Sequence, residues 1–248
     1  MRFAYRIRRA HCWSATKTAR SSALGLVYLP TTGFCAEGTS PLESLPSDWV
    51  AWHFTDVGNI QSIANIGAVV CHGAGVAHVD LADADIKRNR LLRPVSLPPP
   101  YPTSVVGHHV PFYFAPRSPM LYRVWKERGD QESLAFLGVR VGDVADQGLV
   151  WCASNGNARS KFTEFSNDLS TLREFVDTHA LTEKWWTSEE DPDLGRRRQS
   201  EMLVHRSVPL GAVRYVVCKT EERLSEVRAI LEPRGAGISF LVLPSNYF

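Results

Sequence analysis

Apolar and β-branched residues fall along this chain in short runs separated by turn-forming residues, and helical periodicity is confined to a few brief segments. VAWHFT (50–55) reads as a strand. Asp56 then suits a helix N-cap, and Val57, Ile60, Ile63, Ala64 and Ile66 fall near helical spacing before Gly67 stops the helix. AVVC (68–71), VPFYFAP (110–116), LAFLGVRV (134–141), GLVWCA (148–153), EMLVHRSV (201–208), AVRYVVC (212–218) and ISFLVL (238–243) are the other strand candidates. A short helix is expected to hold Leu81, Ile86 and Arg90, a second starts with Ser118 as N-cap and Pro119 at its first position, and a charged amphipathic helix spans Thr220 to Leu231. SLPPPYPTSVVGHH is expected to be loop, because Pro98, Pro99, Pro100 and Pro102 remove donors and fix φ. Strands dominate and βαβ alternation is not sustained. That predicts an α+β domain with a twisted, mixed and mostly antiparallel sheet pair and short flanking helices, not a doubly wound fold. No GxGxxG follows the first strand and no Walker sequence occurs, so a nucleotide would have to be held by another device.

Composition changes this picture little. With 248 residues, 44% apolar and 22% charged, the chain has material for one ordinary globular core. A net charge of +2 does not by itself announce a nucleic-acid binder, so the distribution of charge matters more than its sum. No run of apolar residues is long enough to predict a membrane span. The five cysteines are scattered and form no CxxC, which predicts free thiols in a reducing compartment and a cytoplasmic protein. The first 36 residues hold six Lys or Arg and no Asp or Glu. Residues 1–45 are therefore set apart as a basic N-terminal arm, with a transit peptide, a disordered arm and a start codon placed too far upstream as the open readings; the folded domain is expected at 46–248.

The long irregular stretch from about Ala153 to Ser200 is the chemically unusual part. Asn155, Gly156, Asn157, Arg159, Lys161, Phe162, Phe165 and Asn167 combine cations, amides and aromatic faces, the mixture that single-stranded nucleic acid requires; a solvated loop pinned by its aromatics is the plainer alternative. It ends in RRRQSE, which sets one carboxylate, Glu201, behind three arginines and at the head of a buried strand. Cys71, His72 and His78, or the pair His108 and His109, match no metal-ligand spacing, so no metal is expected.

HFTDVGNIQSI, VPFYFAPRSPMLY, SNGNARSKFTEFSNDL and RRQSEMLVHRSVP, in that order, resemble the DarT family of bacterial DNA ADP-ribosyltransferase toxins over roughly residues 50–248. The resemblance implies an ADP-ribosyltransferase fold similar to that of the poly(ADP-ribose) polymerases, with a split mixed sheet around NAD. The family's His, Tyr and Glu fall on His53, Tyr113 and Glu201. Thr55 shares a strand face with His53, since side chains alternate with period two. Asn59 matches a further NAD-contacting position, and Arg90 a family arginine serving NAD and catalysis, with Arg88 as a competitor. Without the resemblance, His53 and Tyr113 would more often be core residues and Arg90 a solvated cation.

The implied reaction is transfer of ADP-ribose from NAD to a base of single-stranded DNA, expected to be thymine, with Glu201 stabilising charge on the ribose and accepting a proton from the base. Asn155, Asn157, Arg159 and Lys161 are the candidate DNA contacts of the irregular stretch. Arg197 and Arg198 are expected on a loop touching phosphates, and Gln199 beside the acceptor base. The family pairs such toxins with a macrodomain antitoxin. Guanine, RNA or protein as acceptor, and a catalytically silent nucleic-acid-binding module, remain the alternatives.

Overall fold

The computed structural model describes residues 42, 44–76, 79–81, 84–235 and 237–248. The basic arm expected at 1–45 falls almost wholly outside the described residues, as do His78, Cys12 and Cys35.

In chain order the elements are β1 (Val50–Asp56), α1 (Ile60–Ile66), β2 (Ala68–Val70), α2 (Ala84–Leu92), β3 (Pro94–Val95), β4 (Ser104–Val105), β5 (His109–Tyr113), α3 (Pro119–Arg128), β6 (Leu134–Arg140) and α4 (Val141–Asp146). There follow β7 (Trp151–Ser154), β8 (Phe165–Ser166), α5 (Leu172–Phe175), α6 (Thr178–Thr182), α7 (Leu194–Arg197), β9 (Glu201–His205), β10 (Ser207–Pro209), β11 (Tyr215–Cys218), α8 (Glu221–Leu231) and β12 (Ser239–Val242). Local chemistry sets the helix ends. The Asp56 carboxylate accepts from the Gly58 N–H at 2.9 Å and so caps a 3-10 turn, Val57–Asn59, that leads into α1 and not α1 itself, whose N-cap Asn59 makes no side-chain cap bond; Ser118 caps α3 by accepting from Leu121, and Gly67 (φ 76°) and Gly129 (φ 73°) end α1 and α3 in the left-handed region.

The main sheet has eight strands in the order β12-β11-β6-β1-β5-β9-β7-β8, antiparallel throughout except for the β11–β12 pair, which α8 connects. This is the expected mixed, mostly antiparallel α+β architecture. β1 pairs with β6 along its whole length, from Val50↔Arg140 to Asp56↔Leu134, but meets β5 at the single register pair Trp52↔Tyr113. The sheet therefore splits between β1 and β5. Pro111 contributes to the split because it has no N–H to donate; its carbonyl instead accepts from the ring of His53, with Nδ1 at 2.9 Å. Both faces of the sheet are covered. Trp49, Phe112, Phe114 and Leu137 pack in the larger core, while Trp52, Phe54, Phe136, Leu121 and Tyr247 pack on the opposite side.

Three expectations need correction. Leu81 lies ahead of α2, which begins at Ala84, and not in the helix expected to hold it with Ile86 and Arg90. EMLVHRSV is not one strand: Arg206 adopts φ 65°, and the chain leaves the main sheet there so that β10 can pair with β2. The segment 96–109 is not wholly irregular, because beyond its last proline Ser104 and Val105 pair with β3 and a 3-10 turn follows.

Candidate active site

The split in the sheet opens into a cleft of about 220 Å³ lined by His53, Thr55, Asn59, Lys87, Arg90, His109, Tyr113 and Met120 among mainly apolar neighbours. His53 and Thr55 both line it, as their two-residue spacing on β1 requires. His53 is held by its bond to the Pro111 carbonyl and packs on Phe112, with ring centroids 5.6 Å apart. Tyr113 lines the cleft from β5, stacked on Phe54 at 5.9 Å, while Phe112 and Phe114 turn into the core. Burial, and then the charge of Glu201, push the Tyr113 phenol well above its ordinary range.

Asn59 acts as a clamp. Its amide donates to Thr55 Oγ1 and to the Val79 carbonyl, each at 3.0 Å, and its Oδ1 accepts from the Val79 N–H at 2.6 Å. The amide thus ties the cleft wall at Val79 to β1.

Glu201 is the first residue of β9 and stands opposite Tyr113 in the ladder. It is 1% exposed. Arg90 Nη1 donates to both its carboxylate oxygens, at 3.3 and 3.2 Å, and the Ala158 N–H donates to Oε1 at 3.2 Å. Its backbone is fixed too, since the Glu201 N–H donates to Ser154 Oγ at 3.1 Å and Ser154 Oγ donates to the Gly156 carbonyl at 2.7 Å. The carboxylate does not itself line the cleft; it connects to it through Arg90, which does. Arg90 Nη2 is buried without a hydrogen-bond partner, an unused donor at the cleft wall. Arg88, the competing arginine, is exposed and pairs with Asp85 at 2.7 Å. α2 can bring Arg90 this close because Gly107 has no side chain: a Cβ there would lie 2.6 Å from Leu91 Cδ2.

Sequence reasoning missed a buried polar chain beside the cleft. His109 Nδ1 donates to the Val105 carbonyl at 2.9 Å, which leaves Nε2 to accept from the Tyr101 hydroxyl at 2.7 Å; that hydroxyl also contacts Cys152 Sγ at 3.4 Å. Desolvation lowers the His109 pKa to about 4, so the ring is neutral near neutral pH. Nothing in the spacing of Tyr101, His109 and Cys152 could have linked them. Ser154 and Ala158, which hold Glu201, were missed for the same reason.

The irregular stretch divides into scaffold and surface. Asn155 exchanges bonds with Glu164, and Asn157 donates to Gln199 Oε1 at 3.0 Å while accepting from the Arg159 N–H at 3.0 Å. Gln199 in turn donates to the Gly195 carbonyl. These amides stiffen the loop that presents Ala158 to Glu201. Arg159, Lys161 and Phe162 are exposed at its tip, with Lys161 Nζ 5.1 Å from the Phe162 ring centre.

The arginines before Glu201 are not the open phosphate contacts expected. Arg196 and Arg197 lie on helix α7 rather than a loop, and Arg197 is enclosed by Asp177, Asp191 and Asp193. Arg198 is 7% exposed and donates to the Arg117 carbonyl at 3.2 Å. Among the described residues no group of His, Cys, Asp and Glu could hold a metal ion, and no helix is long and apolar enough to cross a membrane.

Comparison with known proteins shows the family and the fold. The model of the family described as DarT, ssDNA thymidine ADP-ribosyltransferase, matches residues 52–248. A Mycobacterium tuberculosis protein named DNA ADP-ribosyl transferase is 38% identical over 226 residues, covering 89% of this chain and 98% of that protein. Among solved structures, Thermus sp. 2.9 DarT in complex with ADP-ribosylated ssDNA superposes with a TM-score of 0.76 at 24% identity, over 83% of this chain and 99% of the other. The same protein in complex with NAD+ gives 0.71 at 23% identity, over 83% and 100%.

Proposed function

This chain belongs to the DarT family of ssDNA thymidine ADP-ribosyltransferases, and from that premise we propose the residue roles by which it transfers ADP-ribose from NAD+ to a base, expected to be thymine, in single-stranded DNA. NAD+ supplies the ADP-ribosyl group and the nicotinamide leaving group. The observation that carries the assignment is the placement of Glu201: a buried carboxylate held by Arg90 and the Ala158 N–H, on a backbone fixed by Ser154, joined to the cleft wall by Arg90 and level with Tyr113.

The roles follow from position. Tyr113 offers a ring face to nicotinamide, and such stacking contributes about 1 kcal/mol beyond burial. His53 and Thr55 orient the nicotinamide ribose and carboxamide, while Asn59 acts one step back by fixing Thr55 and the Val79 wall. The unpartnered Nη2 of Arg90 suits a pyrophosphate or ribose oxygen. As the glycosidic bond breaks, positive charge grows on the ribose, and the fixed carboxylate of Glu201 stabilises it once the Arg90 guanidinium, which here stands between that carboxylate and the cleft, turns to the bound NAD+. The acceptor base nitrogen forms the new bond to the ribose carbon, its proton passes to Glu201, and neutral nicotinamide departs. Arg159 and Lys161 at the loop tip contact the DNA strand, and the paired amides of Asn157 and Gln199 stand where a base edge is read. An unpaired base avoids the unstacking cost of a few kcal/mol that a duplex imposes. The chain acts as the toxin of a toxin–antitoxin pair, and a macrodomain protein that strips the modification is the partner this reading requires.

The test is incubation with labelled NAD+ and single-base oligonucleotides, RNA and protein, read by mass detection and nicotinamide release. Modification of thymine-containing single strands is expected. Modification of guanine, RNA or protein alone would replace the acceptor assignment, and no turnover with any acceptor would leave a silent binding module.

A further inference from the structure

At the same end of the sheet as Glu201, but outside the cleft, four aromatic rings interlock at the surface. Tyr122 packs edge-on against Trp125, Trp186 and Phe248 with centroids 5.2 to 5.5 Å apart, and Trp125 stacks on Phe248 at 6.0 Å. Trp185 beside them is 70% exposed. Cations cover this group. Arg117 sits 4.6 Å from the Phe248 ring centre, Lys126 lies over Tyr122 and Trp125, and Lys184 lies over Trp185 at 5.4 Å. Behind Arg117 lies Arg198, nine-tenths buried, with Nε and Nη1 lacking any partner and no carboxylate in an ion pair with it among the described residues. Nearby acids include Glu183, which pairs with His179, Glu127, which pairs with Arg123, and the exposed Glu189 and Glu190 that follow Trp186 in the chain.

Of these rings Phe248 packs against the core on the Trp52 and Tyr247 side, whereas Tyr122, Trp125, Trp185 and Trp186 are not part of that core. Buried aromatics normally exclude charge, whereas these rings are partly exposed and several carry a cation on the face. Together they offer π-faces for bases and positive charge for the backbone of a nucleic-acid strand. The chain path puts them next to the reaction: β5 ends at Tyr113 and runs through Arg117 into α3, whose Met120 lines the cleft and whose Tyr122 joins the ring cluster. From the other side, α7 leads through Arg198 to Glu201.

We propose that the Tyr122, Trp125, Trp185 and Trp186 surface, with Arg117, Lys126 and Lys184, is an auxiliary binding platform for the acceptor strand, engaging nucleotides that flank the modified base. It rests on the function proposed above. The platform adds affinity for long strands and takes no part in the chemistry, so it acts on KM and not on kcat.

The experiment compares a four-nucleotide and a sixteen-nucleotide single strand, each with one acceptor base, on wild type and on a Trp185→Ala, Lys126→Glu, Lys184→Glu variant, whose changes are all at exposed side chains. Wild type is expected to show a KM for the long strand lower by at least about tenfold, the effect of roughly one stacked base and its phosphates. The variant should lose that advantage, keep the short-strand kinetics, and lower the slope of log KM against log salt by about one or more. Equal length dependence in wild type and variant would overturn the platform and leave the rings as a contact surface for protein. Absence of turnover on either strand would instead overturn the underlying function.

Discussion

Replacing Glu201 with Gln separates the chemical from the structural contribution of the buried pair. The amide keeps the size of the carboxylate, and its oxygen can still accept from the Ala158 N–H that now donates to Oε1 at 3.2 Å. What disappears is the charge facing Arg90 and the ability to take a proton. The Arg90 and Glu201 side chains are 16% and 2% exposed, so the guanidinium keeps little water when its partner is neutralised. Leaving a fully buried charge unpaired costs about 3–5 kcal/mol; retained hydrogen bonding and the partial exposure of Arg90 reduce this to an expected 1–3 kcal/mol, roughly. Turnover falls for a different reason, loss of a preorganised charge beside the developing cation, and by at least about a hundredfold. A second change, Arg90→Met, removes the stranded cation. The double variant is expected to recover about 1 kcal/mol of stability over Glu201→Gln and none of its activity. Urea denaturation of wild type, both single variants and the double variant, run beside oligonucleotide turnover, completes the cycle. Turnover of Glu201→Gln within tenfold of wild type would refute the catalytic role. A double variant less stable than Glu201→Gln would refute the reading of the pair as charge compensation.

Three further outcomes follow from named contacts. Gly107→Ala places a Cβ 2.6 Å from Leu91 and is expected to push α2 outward, lowering kcat through a loosened Arg90; adding Leu91→Ala should restore most of the loss, and failure of that rescue would remove α2 packing as the cause. His109 has its pKa lowered from 6.5 to about 4 by burial, so below about 6.5 the unfolded chain binds a proton that the folded chain refuses. Stability is therefore fully present above that value and lost as pH falls toward 4, at up to ~1.4 kcal/mol per pH unit; denaturation midpoints of His109→Gln should be flatter across this window than those of wild type. Arg197→Ala, which deprives Asp177, Asp191 and Asp193 of their cation, is expected to lower the melting temperature and leave the salt dependence of DNA modification unchanged, whereas Arg159→Ala should do the reverse. Filter binding across a salt series decides between them.

Elements whose signals are local were legible in the sequence. The Asp56 turn, the Ser118-Pro119 helix start and the glycine stops depend on neighbours a few residues away, and the alternation in VPFYF already sorts Tyr113 from Phe112 and Phe114. The resemblance then placed His53, Tyr113 and Glu201 in one reading, and the split sheet brings His53 and Tyr113 to the cleft wall with Glu201 behind Arg90. What could not be read was long-range satisfaction of polar groups. Ser154 bonds Glu201 across 47 residues and Tyr101 meets Cys152 across 51, and neither spacing carries a periodic or motif signal. The break in EMLVHRSV was hidden for a related reason: Arg206 adopts a left-handed conformation that its identity does not suggest, and β2 is there to receive the redirected strand.

The arginine run before Glu201 shows why charge counting misdirects at such a site. Three adjacent cations suggest a solvated patch for phosphates, yet each side chain goes to a different internal task. Arg196 Nη1 donates to Asn155 and Thr163, and its other nitrogens to Asp193, so it closes the loop that carries Ala158. Arg197 gathers Asp177, the N-cap of α6, Asp191 from the segment before α7, and Asp193, the N-cap of α7. Arg198 is buried against the Arg117 carbonyl, at the exit of β5. The short helix is thus tied to the loop on one side, to α6 on another and to the end of β5 on a third, immediately before the chain enters β9. In the role proposed for Glu201, meeting growing positive charge without reorganising, the carboxylate needs that kind of base, because the stabilisation it would give depends on its not relaxing away. The cations that remain at the surface, Arg159 and Lys161 at the loop tip and Arg117, Lys126 and Lys184 over the rings, are separated in sequence and gathered only by the fold.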